Sequence, residues 1–204
     1  MPSRLLYNSV AALSWPLFYG PFRLRATGVE NLPDGAFVLA SNHFSNLDPV
    51  PLGLPLWPHR YLRFMAKSEL YWWPQSIVLR AGGAFPVRRG RADSEAMRTA
   101  VRLCREGNVV VMFPEGTRRK KGLRKKFEAR PRSGAARIAL DAGVPLVPAA
   151  IRGTDRLARF GPLRVAYGAP VHVDDLDGMS GRAAAHEATL RLMEQIAELE
   201  ETLG

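Results

Sequence analysis

The sequence predicts an α/β protein: a layered domain in which a mostly buried sheet is flanked by helices, preceded by a helical segment at the membrane interface. Three observations predict it. Short apolar runs rich in β-branched or aromatic residues recur from position 36 onward, helical patterns separate them, and the first 25 residues are apolar and aromatic with arginines at their margins. With 204 residues, 47% of them hydrophobic, the chain can build one sizeable core but hardly two, so residues 26–204 are read as a single domain behind the segment 1–25.

In that first segment the apolar stretch is broken by Asn8, Ser9, Ser14, Pro16 and Gly20. It therefore lacks the roughly 20 uninterrupted apolar residues of a spanning helix. The expectation is a helix lying in the interface, with Trp15, Phe18, Tyr19 and Phe22 at headgroup depth and Arg4, Arg23 and Arg25 outside. A helix packed on the domain is the alternative. A signal peptide fits less well, because only Arg4 precedes the apolar run and no small-x-small cleavage site follows it. Strands are predicted at 36–40, 61–65, 84–87, 109–113, 145–151 and 163–167, and helices at 68–79, 94–105, 134–142 and 182–202. Asp93 and Ser94 are N-cap candidates for the second of these helices, and Gly107 and Gly143 are stops for the second and third.

Three of the strands run straight into polar motifs. The first meets Ser41-Asn42-His43, the third Arg88-Arg89, and the fourth Pro114-Glu115-Gly116-Thr117-Arg118. In an α/β domain, substrate sites form in the loops at strand ends, so these junctions are the candidate site.

Charge narrows the partners. Twenty-nine Lys and Arg against nineteen Asp and Glu give a net charge of +10, which calls for an anion: nucleic acid, an acidic membrane surface or a phosphorylated substrate. Nine of the basic residues fall between Thr117 and Arg132, offset only by Glu128, directly after the third motif. No helix-turn-helix, zinc or stacking-platform signature accompanies them, which disfavours nucleic acid. The single cysteine, Cys104, excludes an intramolecular disulfide and a cysteine-based zinc site; it sits in a helical pattern and is read as a small buried hydrophobe.

His43 and Asp48 are five residues apart, roughly 500° around an ideal helix, so they do not share a helical face and can meet only across a turn. By itself the spacing leaves two readings open. Asp48 before Pro49 suits an N-cap with proline at the first helical position, and His43 then is a polar strand end. Alternatively, the carboxylate fixes one ring nitrogen while the other takes a proton from an attacking hydroxyl. No serine or cysteine nucleophile is then needed, and no G-x-S-x-G elbow is present to supply one. His59, His172 and His186 have no comparable neighbours.

Asn42-His43-Phe44-Ser45-Asn46-Leu47-Asp48 matches an N-H-x-x-x-x-D motif. Gly82 to Arg88 (GGAFPVR), Phe113 to Arg118 (FPEGTR) and Val147 to Ile151 (VPAAI) follow it in order. In these four blocks the chain, over residues 25–170, resembles the glycerolipid acyltransferases of the 1-acylglycerol-3-phosphate acyltransferase type. The resemblance implies their layered α/β domain and acyl transfer from an acyl thioester, acyl-CoA or acyl-carrier protein, to the free hydroxyl of a lysophospholipid phosphate, giving phosphatidate in phospholipid synthesis. It implies His43 as general base with Asp48 its partner, and Arg88 with Glu115, Gly116, Thr117 and Arg118 as the glycerol phosphate site. A guanidinium grips phosphate with two hydrogen bonds, whereas Glu115 is expected to orient Arg88 or to accept from a substrate hydroxyl. Arg132-Ser133-Gly134 stands where Lys-x-Gly is frequent in the family, so Arg132 is expected at the phosphate in its place. Pro86-Val87 and the added Arg89 depart from the family pattern and leave acceptor preference open between lysophosphatidate, glycerol 3-phosphate and a lyso-aminolipid.

No metal or resident cofactor is implied. A lipid acceptor requires a bilayer surface, for which Trp57 and Tyr71-Trp72-Trp73 are further anchors, and the expected location is peripheral or monotopic on the cytoplasmic face. The competing class is a noncatalytic protein that binds anionic surfaces or nucleic acid through its charge.

Overall fold

The structure is a computed structural model that describes residues 4–87, 93–116, 118–119 and 131–204. In chain order the elements are α1 (Arg4–Tyr19), β1 (Arg25–Thr27), β2 (Val38–Ser41), α2 (Pro49–Gly53), β3 (Leu62–Lys67), α3 (Gln75–Ala81), β4 (Ala84–Val87), α4 (Asp93–Arg105), β5 (Val109–Met112), α5 (Gly134–Ala142), β6 (Leu146–Arg152), β7 (Arg164–Tyr167) and α6 (Gly181–Thr202). Every apolar run read as a strand is one. β1 is additional: its sequence Arg-Ala-Thr carries no apolar run because it is a half-exposed edge strand. The sheet order is β1-β7-β6-β2-β5-β3-β4, and all neighbours pair parallel except β6 with β7.

Both faces of the sheet are covered, and the period of two sorts the side chains between them. From β2 and β5, Leu39, Val109 and Val111 pack with Phe18, Phe22 and Leu52 on the side of α1 and α2. Val38, Ala40 and Val110 pack with Ala100, Ile138, Ala188 and Leu192 on the side of α4, α5 and α6. On the first side the Tyr167 hydroxyl, fully buried, donates to the Leu52 carbonyl at 2.8 Å and ties α2 to the sheet.

One helix start differs from expectation. The pattern at 68–79 is divided: Ser68–Leu70 makes one 3₁₀ turn and α3 starts only after Pro74, because a proline lacks the N–H of a helix interior and suits a helix start. α4 is described from Asp93 onward, so the cap expected at Asp93 or Ser94 lies at the edge of the described residues. Gly107 and Gly143 have positive φ and stop α4 and α5 as the pattern requires.

α1 packs on the domain with one side and leaves apolar residues exposed on another. Ala11 and Phe18 enter the core, followed by Phe22 and Leu24, while Leu5, Leu13, Trp15 and Leu17 stay exposed. Phe18 and Phe22 are thus core residues and not interfacial ones; burying each contributes about 1.5–3 kcal/mol to folding. The Ser9 and Ser14 hydroxyls donate to the carbonyls of Leu5 and Val10 one turn back, which satisfies them inside the helix. Trp57 is also not a free anchor: it packs against the core and its indole N–H donates to Asn8 Oδ1 at 3.0 Å. Trp72 and Trp73 are exposed, as are Ile77 and Val78 on α3, and α3 packs against α1. Among the described residues, no helix is long and apolar enough to cross a membrane.

Candidate active site

β2 and β5 are parallel neighbours at the middle of the sheet, so the loops that follow them leave at the same edge, side by side. The β2 ladder to β6 ends at Ser41 opposite Ala149. Asn42 extends it with a side chain: Nδ2 donates to the Ile151 carbonyl at 3.0 Å and Oδ1 accepts from the Ile151 N–H at 2.8 Å. Asn42 and Ile151 are both sealed from solvent, at 1% and 0% exposure, so this amide satisfies two backbone groups that water cannot reach. The first and fourth sequence blocks meet in this contact. Sequence reasoning did not single out Asn42; its place one residue past an apolar strand was the available signal.

The turn that follows brings His43 and Asp48 together. His43 Nδ1 lies 2.7 Å from Asp48 Oδ2, and the same oxygen accepts the N–H groups of Phe44 at 2.7 Å and Ser45 at 2.9 Å. Asp48 holds the N-cap position of α2 with Pro49 next, yet its carboxylate makes no capping bond and turns back into the loop. The pure-cap reading is thereby replaced. Backbone donors and burial fix the carboxylate, and the carboxylate fixes the ring. The Phe113 ring, at the end of β5, stacks on the imidazole with centroids 4.0 Å apart. His43 remains partly exposed at its side chain, and Nε2 makes no hydrogen bond with the described residues.

On the neighbouring loop, the Glu115 carboxylate, 10% exposed, is taken by Arg119: Nε lies 2.7 Å and Nη2 2.6 Å from Oε1. The expected partner, Arg88, lies outside the described residues, as does Thr117. Arg119 also reaches α6, where it meets both oxygens of Glu200 at 2.7 Å. Burial works against its charge, but the bonds from Glu200 and Glu115 outweigh it and hold the guanidinium above its ordinary pKa. Arg119 was passed over as one of many basic residues; the structure makes it the organiser of the loop.

Gly116 has φ +68°, and a Cβ there would stand 2.6 Å from Arg132 Nε, so the loop needs glycine both for its turn and for the arginine that crosses it. The Arg132 N–H donates to the Pro114 carbonyl at 2.8 Å. Arg132 is thus held against the third block. Arg118 is exposed and makes no ion pair with the described residues. Two cavities adjoin these loops. One, of about 160 Å³, is apolar and lies between α1, α2 and α3, lined by Val10, Leu47, Val50, Leu54, Phe64 and Val78. The other is a groove of about 1360 Å³ between α4 and α5 that opens onto Gly116 and Arg132.

Fold and site together define an α/β enzyme with a carboxylate-backed histidine at the carboxyl edge of a mainly parallel sheet. The chain belongs to the Acyltransferase family, whose model matches residues 23–152, and it is an acyltransferase. It is 34% identical over 180 residues to a 1-acyl-sn-glycerol-3-phosphate acyltransferase of Bacillus subtilis, covering 85% of this chain and 86% of that one. A chloroplastic 1-acyl-sn-glycerol-3-phosphate acyltransferase of Arabidopsis thaliana is 28% identical over 89% of this chain, which spans 53% of that longer protein. The crystal structure of the 1-acyl-sn-glycerophosphate (LPA) acyltransferase PlsC from Thermotoga maritima superposes with a TM-score of 0.64, at 26% identity, over 95% of this chain and 79% of that one.

Proposed function

We propose that the chain transfers a fatty acyl group from an acyl thioester, acyl-CoA or acyl-carrier protein, to the free hydroxyl of 1-acylglycerol 3-phosphate, giving phosphatidate. The observation that carries this reading is the contact of His43 Nδ1 with the sealed Asp48 carboxylate, which leaves Nε2 as the nitrogen that faces substrate. Nε2 takes the hydroxyl proton as the oxygen attacks the thioester carbon; the imidazolium so formed is stabilised by Asp48, and collapse of the tetrahedral intermediate expels the thiolate, which recovers a proton. Arg118 and Arg132, both exposed beside Gly116, are available to the phosphate, with Arg88 and Thr117 the family positions outside the described residues. Chemistry of this kind calls for no metal and no resident cofactor.

The acceptor is a lipid, and the site's surroundings suit one. Leu47, half exposed, belongs to the loop between His43 and Asp48, and it shares the apolar cavity with residues of α1 and α3. Leu13, Trp15, Trp72, Trp73, Ile77 and Val78 expose apolar surface on the same two helices and the turn before α3. This is the face proposed to enter the membrane interface, with the protein peripheral on the cytoplasmic side. Acyl chains reach the loop through it, and the apolar cavity takes the first part of a chain.

The test is an acceptor panel of lysophosphatidate, glycerol 3-phosphate and a lyso-aminolipid, offered with acyl-CoA and with acyl-carrier protein, products identified by mass spectrometry. Phosphatidate from lysophosphatidate, lost in His43→Ala with the fold intact, is the expected result. Full turnover in that variant refutes the base assignment, and preference for another acceptor reassigns the substrate.

A further inference from the structure

The sequence places two arginines side by side, Arg118 and Arg119, after the third block, and the structure gives them different work. Arg118 points to solvent. Arg119 is drawn inward by four contacts of different kinds. Its guanidinium bonds Glu115 and, with both terminal nitrogens, the two oxygens of Glu200, 81 residues further on. Its backbone N–H donates to the His43 carbonyl at 2.8 Å. Its guanidinium carbon lies 5.2 Å from the centre of the Phe44 ring.

We propose that Arg119 is a positioning residue for acyl transfer, and that the last turns of α6, through Glu200, are part of the active site's support. The proposal rests on the function given above. The physical case has two parts. Glu115 is almost fully buried beside a loop meant to receive a phosphate; an ionised carboxylate there repels the substrate unless a cation neutralises it, and among the described residues Arg119 is the cation in contact. A guanidinium also has a fixed fork geometry, so two carboxylates from distant segments lock it in one orientation. Locked in this way, it holds the loop after β5 against the loop that carries His43, at a carbonyl on His43 itself. Lysine keeps the charge but lacks the fixed fork, so it does not reproduce the orientation.

The experiment compares wild type, Arg119→Met, Arg119→Lys, Glu200→Gln and the double variant Arg119→Met/Glu200→Gln, full chain, in steady-state acyl transfer to lysophosphatidate with thermal unfolding measured in parallel. Glu200→Gln removes a negative charge near the phosphate loop, so simple electrostatics lower KM, whereas loss of positioning lowers kcat. The expected result is a fall in kcat of about tenfold, roughly 1.4 kcal/mol, with KM unchanged or lower. Arg119→Met is expected to lower kcat and raise KM as well, because Glu115 loses the cation that Arg119 supplies. Arg119→Lys recovers only part of the loss, and the double variant is no worse than Arg119→Met, since both changes remove one contact.

A purely structural role would lower the active fraction together with Tm and leave KM alone in every variant. That pattern, or additive losses in the double variant, or wild-type kcat in Glu200→Gln, overturns the proposal. Should Arg119→Met fail to fold, the Glu200→Gln result decides. Failure of wild type to acylate any acceptor sinks the proposed function; an active wild type with an indifferent Glu200→Gln sinks this inference alone.

Discussion

Asn42→Ala is expected to be among the most damaging single changes in the domain, although Asn42 touches no substrate in the mechanism above. The Asn42 side chain is the only described partner of the Ile151 N–H and carbonyl on the β2 side, and Ile151 is fully buried. Truncation strands both groups where water does not reach. Leaving a buried donor or acceptor unmade costs about 1–3 kcal/mol, so the two together cost about 2–6 kcal/mol. A domain of this kind holds only about 5–15 kcal/mol in all. Urea unfolding followed by tryptophan fluorescence reads the loss as a lower midpoint, with Ile151→Val as the control: it trims one methylene, keeps both backbone bonds, and costs about 0.5–1.5 kcal/mol. Turnover under folding conditions should fall further than the folded fraction, because Asn42 sets where β2 ends and therefore where His43 begins. An Asn42→Ala protein within 1 kcal/mol of wild type, or one that is fully active once folded, refutes the reasoning.

Asp48→Asn keeps an oxygen for the Phe44 and Ser45 N–H groups but removes the charge that stabilises the imidazolium, so a folded protein with kcat lowered by about 10²–10⁴ is expected from acyl-transfer kinetics beside circular dichroism. In Gly116→Ala the left-handed backbone costs about 1–2 kcal/mol, and the new methyl displaces Arg132; urea unfolding and a raised KM for the acceptor report the two effects. Burial pushes the Cys104 thiol up to about 12, so native protein at pH 8 should resist thiol reagents that label the unfolded chain at once. Because the folded state then keeps its thiol proton above the unfolded pKa of 9.0, stability should fall as pH rises from about 9 toward 12, and Cys104→Ala should flatten that slope. Replacing Trp72 and Trp73 together by serine removes two exposed aromatics, and cosedimentation with anionic vesicles should weaken by more than about tenfold at equal thermal stability.

Much of the fold was legible because a sheet covered on both faces writes itself as apolar runs, and 109–113 or 145–151 need no partner to be recognised. β1 was not, since an edge strand with half its surface in water carries no such mark. The N-terminal segment was ambiguous for a related reason: one helix with Phe18 in the core and Leu13 in solvent has apolar residues on both sides, and a sequence does not say which apolar side meets protein.

The site divides along the same line between local and distant contacts. His43 and Asp48 are the ends of a turn of six residues, and the motif that encodes the turn also encodes the contact. What the sequence left open there was which way the carboxylate faces, and the Phe44 and Ser45 N–H groups decide it by offering two bonds inside the loop where the start of α2 offers none. Arg119 is the opposite case. Set among nine basic residues it looks interchangeable with Arg118, and its contacts with Glu115, Phe44 and, from the far end of the chain, Glu200 distinguish them. A carboxylate on the last turns of α6 carries no motif of its own; its meaning comes from α6 packing along β6, which brings that end of the helix back over the edge where the β2 and β5 loops emerge. Charge runs therefore report that an anion is near but not which residue meets it. In this protein one arginine of the run is bound to two of the chain's own carboxylates, and Arg118 and Arg132, the described exposed ones beside it, are those proposed to meet the substrate.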